Sequence, residues 1–205
     1  MAYSDFTIAR VQADFQLSID ERQTLFTDVQ PVQPSALLTD FLAEYLSLAI
    51  DVNSEKARSE FVIAPVLADV RRHSNYQVSL FSGKEFNVDQ SQGLAGYCDF
   101  ILCLSSEQLY IQSPVMMVVE AKNENIIGGL GQCIAAMVAA QRFNQQTGSA
   151  IPEIFGAVTT GTNWRFLKLR DHTVWIDKTE YYIRDIDQIL GILMYATGQA
   201  LPAMA

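Results

Sequence analysis

Apolar residues recur along this chain at two spacings, helical and alternating, and the spacing changes with position. Leu37, Leu38, Phe41, Leu42, Tyr45, Leu46 and Ala49 repeat at helical intervals behind two chain-breaking prolines, Pro31 and Pro34, with Ser35 placed to cap. A second helix is predicted from Ser54 or Glu55, with Ile63, Val66, Leu67 and Val70 as its stripe. Pro65 falls inside that stripe and should kink it or force a local rearrangement. Residues 76–81 and 84–88, split by Ser82-Gly83, read as a hairpin. Two runs dense in β-branched, aromatic and large apolar residues, 97–104 and 115–121, predict buried strands. Residues 123–131 are polar and then glycine-rich, a loop ahead of an alanine-rich helix over 132–143. Strands over 154–160, 165–169 and 173–177 and an amphipathic helix over 184–199 close the chain, and the stretches 6–11 and 15–19 alternate weakly enough to be edge strands at most. Helices, a run of strands, a helix, more strands and a last helix predict an α/β fold with a mixed sheet flanked by helices.

The two buried strands carry charge where such strands should have none: Asp99 on the first, Glu120 and Lys122 at the end of the second. Strand side chains alternate faces, so Glu120 and Lys122 point the same way while Ala121 points away. If the strands pair, as consecutive strands usually do, Asp99 approaches the same spot. Two carboxylates and an ammonium then converge, a donor set suited to a hard cation such as Mg²⁺, which is commonly held by one or two carboxylates plus waters and a phosphate. A buried ion pair between Lys122 and one carboxylate is the plainer alternative, and it leaves the second carboxylate without a role. Glu60 lies about 70° from the centre of its helix's apolar stripe, and Glu55 on the first turn is its competitor, one for which the helix dipole alone is reason enough.

Asp99, a gap of roughly twenty residues, then Glu120-Ala121-Lys122 resembles the PD-(D/E)XK nuclease superfamily, with Cys98 standing where the family name has proline. The resemblance covers residues 54–170 and implies a restriction-endonuclease-like fold and a Mg²⁺- or Mn²⁺-dependent phosphodiesterase acting on DNA. It implies metal ligands at Asp99 and Glu120, with Glu60 as the acid supplied by the preceding helix, and a catalytic Lys122. Several branches place a glutamine on the helix after the ExK strand, which Gln132 matches in position; the tyrosine that follows it in one branch is Ala136 here. The segment VTTGTNWRFLKL looks like the turn and strand of nuclease domains in type I restriction motor subunits.

Length and charge refine this reading. A chain of 205 residues suits one domain, with residues 1–53 as an acidic, partly helical extension, 54–170 as the core and 171–205 as a final strand and helix. No apolar run approaches a bilayer-spanning length and no cationic leader precedes an apolar start, so a cytoplasmic protein with no membrane partner is expected. Cys98, Cys103 and Cys133 form no CxxC pair and sit in apolar segments, which predicts buried thiols. His73 and His172 are isolated. Of the net charge of −9, residues 1–55 carry −7, from two basic and nine acidic side chains. Nucleic-acid binding by the chain alone is therefore expected to be weak and salt-sensitive, with a homodimer or larger assembly as a route to tighter binding. Arg165, Lys168 and Arg170 are either phosphate contacts or the charges of an edge strand. Three functions stay open: a nuclease, a binding or scaffold protein that keeps the nuclease fold without useful catalysis, and an effector acting on RNA or another phosphoester.

Overall fold

The structure, a computed structural model, describes residues 1–149 and 151–198. Among these residues, eight strands form one mixed sheet: β1 (Ser18–Asp20), β2 (Ser79–Glu85), β3 (Tyr97–Cys103), β4 (Val115–Ala121), β5 (Ile154–Thr159), β6 (Asn163–Arg170), β7 (Thr173–Ile176) and β8 (Tyr181–Tyr182). Their spatial order is β1-β7-β6-β5-β4-β3-β2, with β8 paired to β6. β4 runs parallel to β5 and β1 parallel to β7; the other pairs are antiparallel. The expectation of an α/β fold with a helix-flanked mixed sheet holds.

Helices cover both faces. α1 (Ile8–Phe15) and α5 (Ile126–Gln146) pack on one face, against Ile101, Val118, Val158 and Leu167. The composite helix of α3 (Glu55–Arg58), a π-helical stretch (Ser59–Ile63) and α4 (Ala64–His73) packs on the other, with α6 (Ile186–Ala196), against Phe100, Met117, Ala157 and Phe166. α2 (Ala36–Val52) lies outside that second layer, capped as predicted by Ser35, whose hydroxyl accepts from Leu38 N. The π-helical stretch is the rearrangement that Pro65 demands. Proline offers no N–H to the carbonyl one turn back, so the helix widens just before it.

Three elements differ from the sequence reading. The predicted hairpin is a single strand, β2, whose register with β3 runs unbroken from Ser82↔Phe100 to Lys84↔Cys98 across Gly83. Gly83 takes φ +58° inside that strand, so it marks a local distortion and not a turn. The stretch 6–11 is mostly helix: Thr7 caps α1 by accepting from Arg10 N, and Val11 and Phe15, four residues apart, are buried on one face. α5 begins six residues earlier than expected, at Ile126, and takes in Gly128, Gly129 and Gly131. Gly129 and Gly131 are there for contact. A Cβ at Gly131 would lie 2.4 Å from Phe6 O, and one at Gly129 would lie 2.7 Å from Val158 Cγ1 and 3.0 Å from Lys122 Cε. The last helix covers Ile186–Ala196, and Gln199, the end of its predicted span, lies outside the described residues.

α5 is long and apolar enough to cross a membrane by length and composition alone, although no single run suggested it. Of its most apolar 18-residue window, 67% is buried against the sheet, as in the core helix of a folded domain. Asn144 fixes its position: the buried amide accepts from Val115 N and donates to Val115 O, both at 2.8 Å, which locks the helix to the start of β4.

Candidate active site

β3 and β4 pair through Phe100↔Val119 and Ile101↔Val118, which sets Asp99 opposite Glu120 on the face that α5 covers. The backbone ladder stops there, and the Asp99 side chain continues it by accepting from Ala121 N at 2.8 Å. Glu120 is buried, 4% exposed, on a strand otherwise lined with valine and methionine. Two residues on, Lys122 turns back over the same face. Its Nζ donates to Glu120 Oε1 and, at 3.4 Å, to Gln132 Oε1 on the second turn of α5. The early start of α5 and the bare Cα of Gly129 leave room for the lysine stem at that point. Asp99, Glu120, Lys122 and Gln132 are therefore brought together.

Glu60 is not. Its carboxylate pairs with Lys56 at 2.7 Å, half-exposed, and lines an apolar groove with Leu37, Phe41 and Arg72. The resemblance implies Glu60 as the acid of this helix, and the wheel sets it only at the flank of the apolar stripe of a regular α-helix. Its residue lies within the π-helical stretch, where the wider turn alters the phase. The acid whose charge bears on both Glu120 and Lys122 from this helix is Glu55, its competitor in sequence.

Electrostatics at the site follow from crowding. Burial pushes the Glu120 carboxyl up to about 8, and Asp99 and Glu55 push the same way against the pull of Lys122. For Lys122, burial acts to lower the ammonium, but the charge and hydrogen bond of Glu120, then Glu55 and Asp99, hold it above its ordinary value. One ammonium thus faces three acids.

The donor set fits a cation of one kind only. Asp99 has Oδ1 and Glu120 has Oε2 without a hydrogen-bond partner among the described residues, since their other oxygens are taken by Ala121 N and Lys122. Two hard oxygens fit Mg²⁺ or Mn²⁺, which keep waters and share their shell with a substrate phosphate. No cluster of three or more His, Cys, Asp or Glu side chains able to cage a metal occurs among the described residues, so a closed zinc- or calcium-type site has no support here. The three cysteines are unpaired and buried, as expected. Arg165 is paired with Glu180, and Lys168 and Arg170 with Glu153; β6 is an interior strand, so the edge-strand role considered for these residues does not apply.

Sequence reasoning missed Arg58. It sits one turn after the Ser54 cap and reaches across to the residues that follow β4 and β5, donating from Nε to Asn123 Oδ1 (3.2 Å) and from Nη1 to Thr160 O (3.0 Å). No local pattern signals this, because its partners lie 65 and 102 residues away. Compared with known protein families, with curated proteins and with solved structures, the chain matches none.

Proposed function

We propose that the protein is a metal-dependent phosphodiesterase of the PD-(D/E)XK type, with a restriction-endonuclease-like core, acting on nucleic acid and on DNA first. The observation that carries this reading is the pairing of Asp99 with Glu120 across two apolar strands, with Lys122 folded back onto the same face. Stability gives no reason for that arrangement, since replacing such charges with packed apolar side chains is often neutral or stabilising. Asp99 and Glu120 would hold Mg²⁺ or Mn²⁺ through their unpartnered oxygens. When bound, the metal supplies Lewis acidity and lowers the pKa of a water. Lys122 places its ammonium where negative charge grows on the phosphate, and Gln132 steadies the lysine from α5. Glu55 adds the third negative charge that favours a divalent cation there. The buried unpaired thiols fit the reducing cytoplasm as the compartment of action.

The test is cleavage of single- and double-stranded DNA and of RNA with Mg²⁺, with Mn²⁺ and with EDTA. Metal-dependent cleavage lost in Glu120→Gln is expected, together with weakened Mn²⁺ binding. Absence of cleavage on every substrate, with Mn²⁺ affinity unchanged in both Asp99→Asn and Glu120→Gln, overturns the reading. A second reading, a scaffold that keeps the fold without useful catalysis, draws on the closed Glu120–Lys122 ion pair and the acidic balance of the chain. In that case the pair survives as structure and no metal is needed.

A further inference from the structure

β4 and β5 are parallel, and Lys122 N donates to Thr159 O at 2.8 Å as both strands end. One residue further on, Asn123 and Thr160 enter the wall of a cleft of about 400 Å³. The carboxyl end of adjacent parallel strands is where α/β sheets commonly bind ligands, and the volume lies in the ~300–1,000 Å³ range of small-molecule sites. Its wall also holds Arg58, Asn125, Thr162, Asn163 and Ile127.

The chemistry of that wall is distinctive. Arg58 donates to Asn123 Oδ1, Thr160 O and Asn53 Oδ1 (3.1 Å), all neutral, and makes no ion pair among the described residues. Asn123 spends its Oδ1 on Arg58 and Asn125 spends its Oδ1 on Gly128 N, so both keep an amide NH₂ without a partner. The Asn163 side-chain amide has no hydrogen bond at all among the described residues. Ile127 is 68% exposed although it stands on the first turn of a core helix. Amide donors, an amide acceptor and an apolar side chain together match the edge and the face of a heterocycle. A phosphate dianion suits the cleft poorly, because Glu124 and Glu180 share the wall and most of the guanidinium donors are already spent.

We propose that this cleft receives one unstacked nucleobase adjoining the phosphodiester at Lys122, so that the substrate is single-stranded or locally unpaired nucleic acid. The inference rests on the phosphodiesterase reading of Asp99, Glu120 and Lys122. In a duplex the pairing edge is already used and the faces are stacked, which denies the amides and Ile127 their contacts. An unpaired substrate also suits a chain with few free cations, since duplex binding draws on many phosphate contacts.

The experiment has a binding arm and a cleavage arm. The four nucleoside 5′-monophosphates and ribose 5-phosphate are titrated in EDTA, followed by NMR or calorimetry, against the wild type and Asn163→Ala. At least one nucleotide should bind at least tenfold more tightly than ribose 5-phosphate, and Asn163→Ala should remove most of that difference with an unchanged melting temperature. In the cleavage arm, an oligonucleotide should be cut at least tenfold faster single-stranded than as a duplex. Equal binding of ribose 5-phosphate and nucleotides overturns the proposal in favour of a plain anion site. Duplex cleaved as fast as single strand, with no nucleotide binding, overturns it and leaves the phosphodiesterase reading intact. Base-selective binding that Asn163→Ala abolishes, with no cleavage of any substrate under any metal, sustains the base cleft and defeats the phosphodiesterase reading instead.

Discussion

At the scale of single residues, Lys122 separates an enzyme from a scaffold. Lys122→Met keeps most of the apolar stem beside Gly129 and removes the charge. In an enzyme, turnover should fall roughly 10²–10⁴-fold while metal binding survives, because the lysine acts on charge that appears during reaction. In a scaffold, the same change strands Glu120, 4% exposed, and costs about 3–5 kcal/mol of stability with no cleavage to lose. Melting temperature and metal-dependent cleavage measured on one preparation decide between them. A second buried carboxyl yields a pH signature remote from the site. Asp177, fully buried, accepts from Thr179 N and from the Tyr181 hydroxyl, yet burial outweighs these bonds and raises its pKa. The native state then holds that proton more tightly than the unfolded chain does, so the contribution to stability falls as pH climbs above the ordinary aspartate value. Against Asp177→Asn, the wild type should lose relative stability as pH rises above the ordinary aspartate value of about 4; a difference that stays flat with pH contradicts this. The convergence of Asp99, Glu120 and Lys122 was legible from strand parity and chain order, because alternation on a strand is rigid; Gln132, on a helix, was named from the resemblance. Glu60 was assigned by resemblance, and neither its pair with Lys56 nor the π-helical stretch that carries it is written in the local pattern; Arg58 had no local signature.

Elements show the same division between what is local and what is not. The Ser35 cap lies where the sequence put it, and the second helix starts at Glu55 within the predicted range, since capping depends on neighbours three residues apart. The glycine-rich start of α5 misled for the opposite reason. Gly128, Gly129 and Gly131 lower intrinsic helix propensity, and only tertiary contact shows why Gly129 and Gly131 are there. Their absence of side chains lets the turn before α1 and the stem of Lys122 approach the helix axis. Gly131→Ala should therefore loosen the amino-terminal segment, because its Cβ would meet the backbone of Phe6 and Thr7 and has no flexible neighbour to displace. A loss of about 1–3 kcal/mol is expected, with faster proteolysis confined to residues ahead of β1. Equal stability and an unchanged cleavage map would show that this contact is not closely packed. The hairpin misreading is the same problem in a strand. A serine-glycine pair carries turn chemistry, and the continuous register with β3 that overrides it is a long-range property.

For the whole molecule, the sequence conveyed the class of fold and the polarity of the chain, but not which charges matter where. The nine acids of residues 1–55 argued for general repulsion of nucleic acid. In the fold, Asp14 pairs with Arg10 and Asp20 with Arg22, so part of that charge is compensated locally. Glu124 is different. It lines the cleft beyond Lys122, and its Oε1 takes only a long bond from Asn53, at 3.4 Å. Coulomb's law in water gives roughly 0.5 kcal/mol between unit charges at about 8 Å, and less once salt screens them. Glu124→Gln should therefore tighten binding of a short single-stranded oligonucleotide about twofold in low salt. The double change Asp14→Asn with Asp20→Asn should have a smaller effect, since each removes half of an ion pair and frees a compensating arginine far from the cleft. Both gains should vanish as salt rises, because they act through screened charge and not through contact. Affinity measured across a salt series for the wild type and the two variants makes the comparison. If the double change at Asp14 and Asp20 tightens binding more than Glu124→Gln does, nucleic acid approaches over the amino-terminal face, and the cleft beyond Lys122 is not its path to the site.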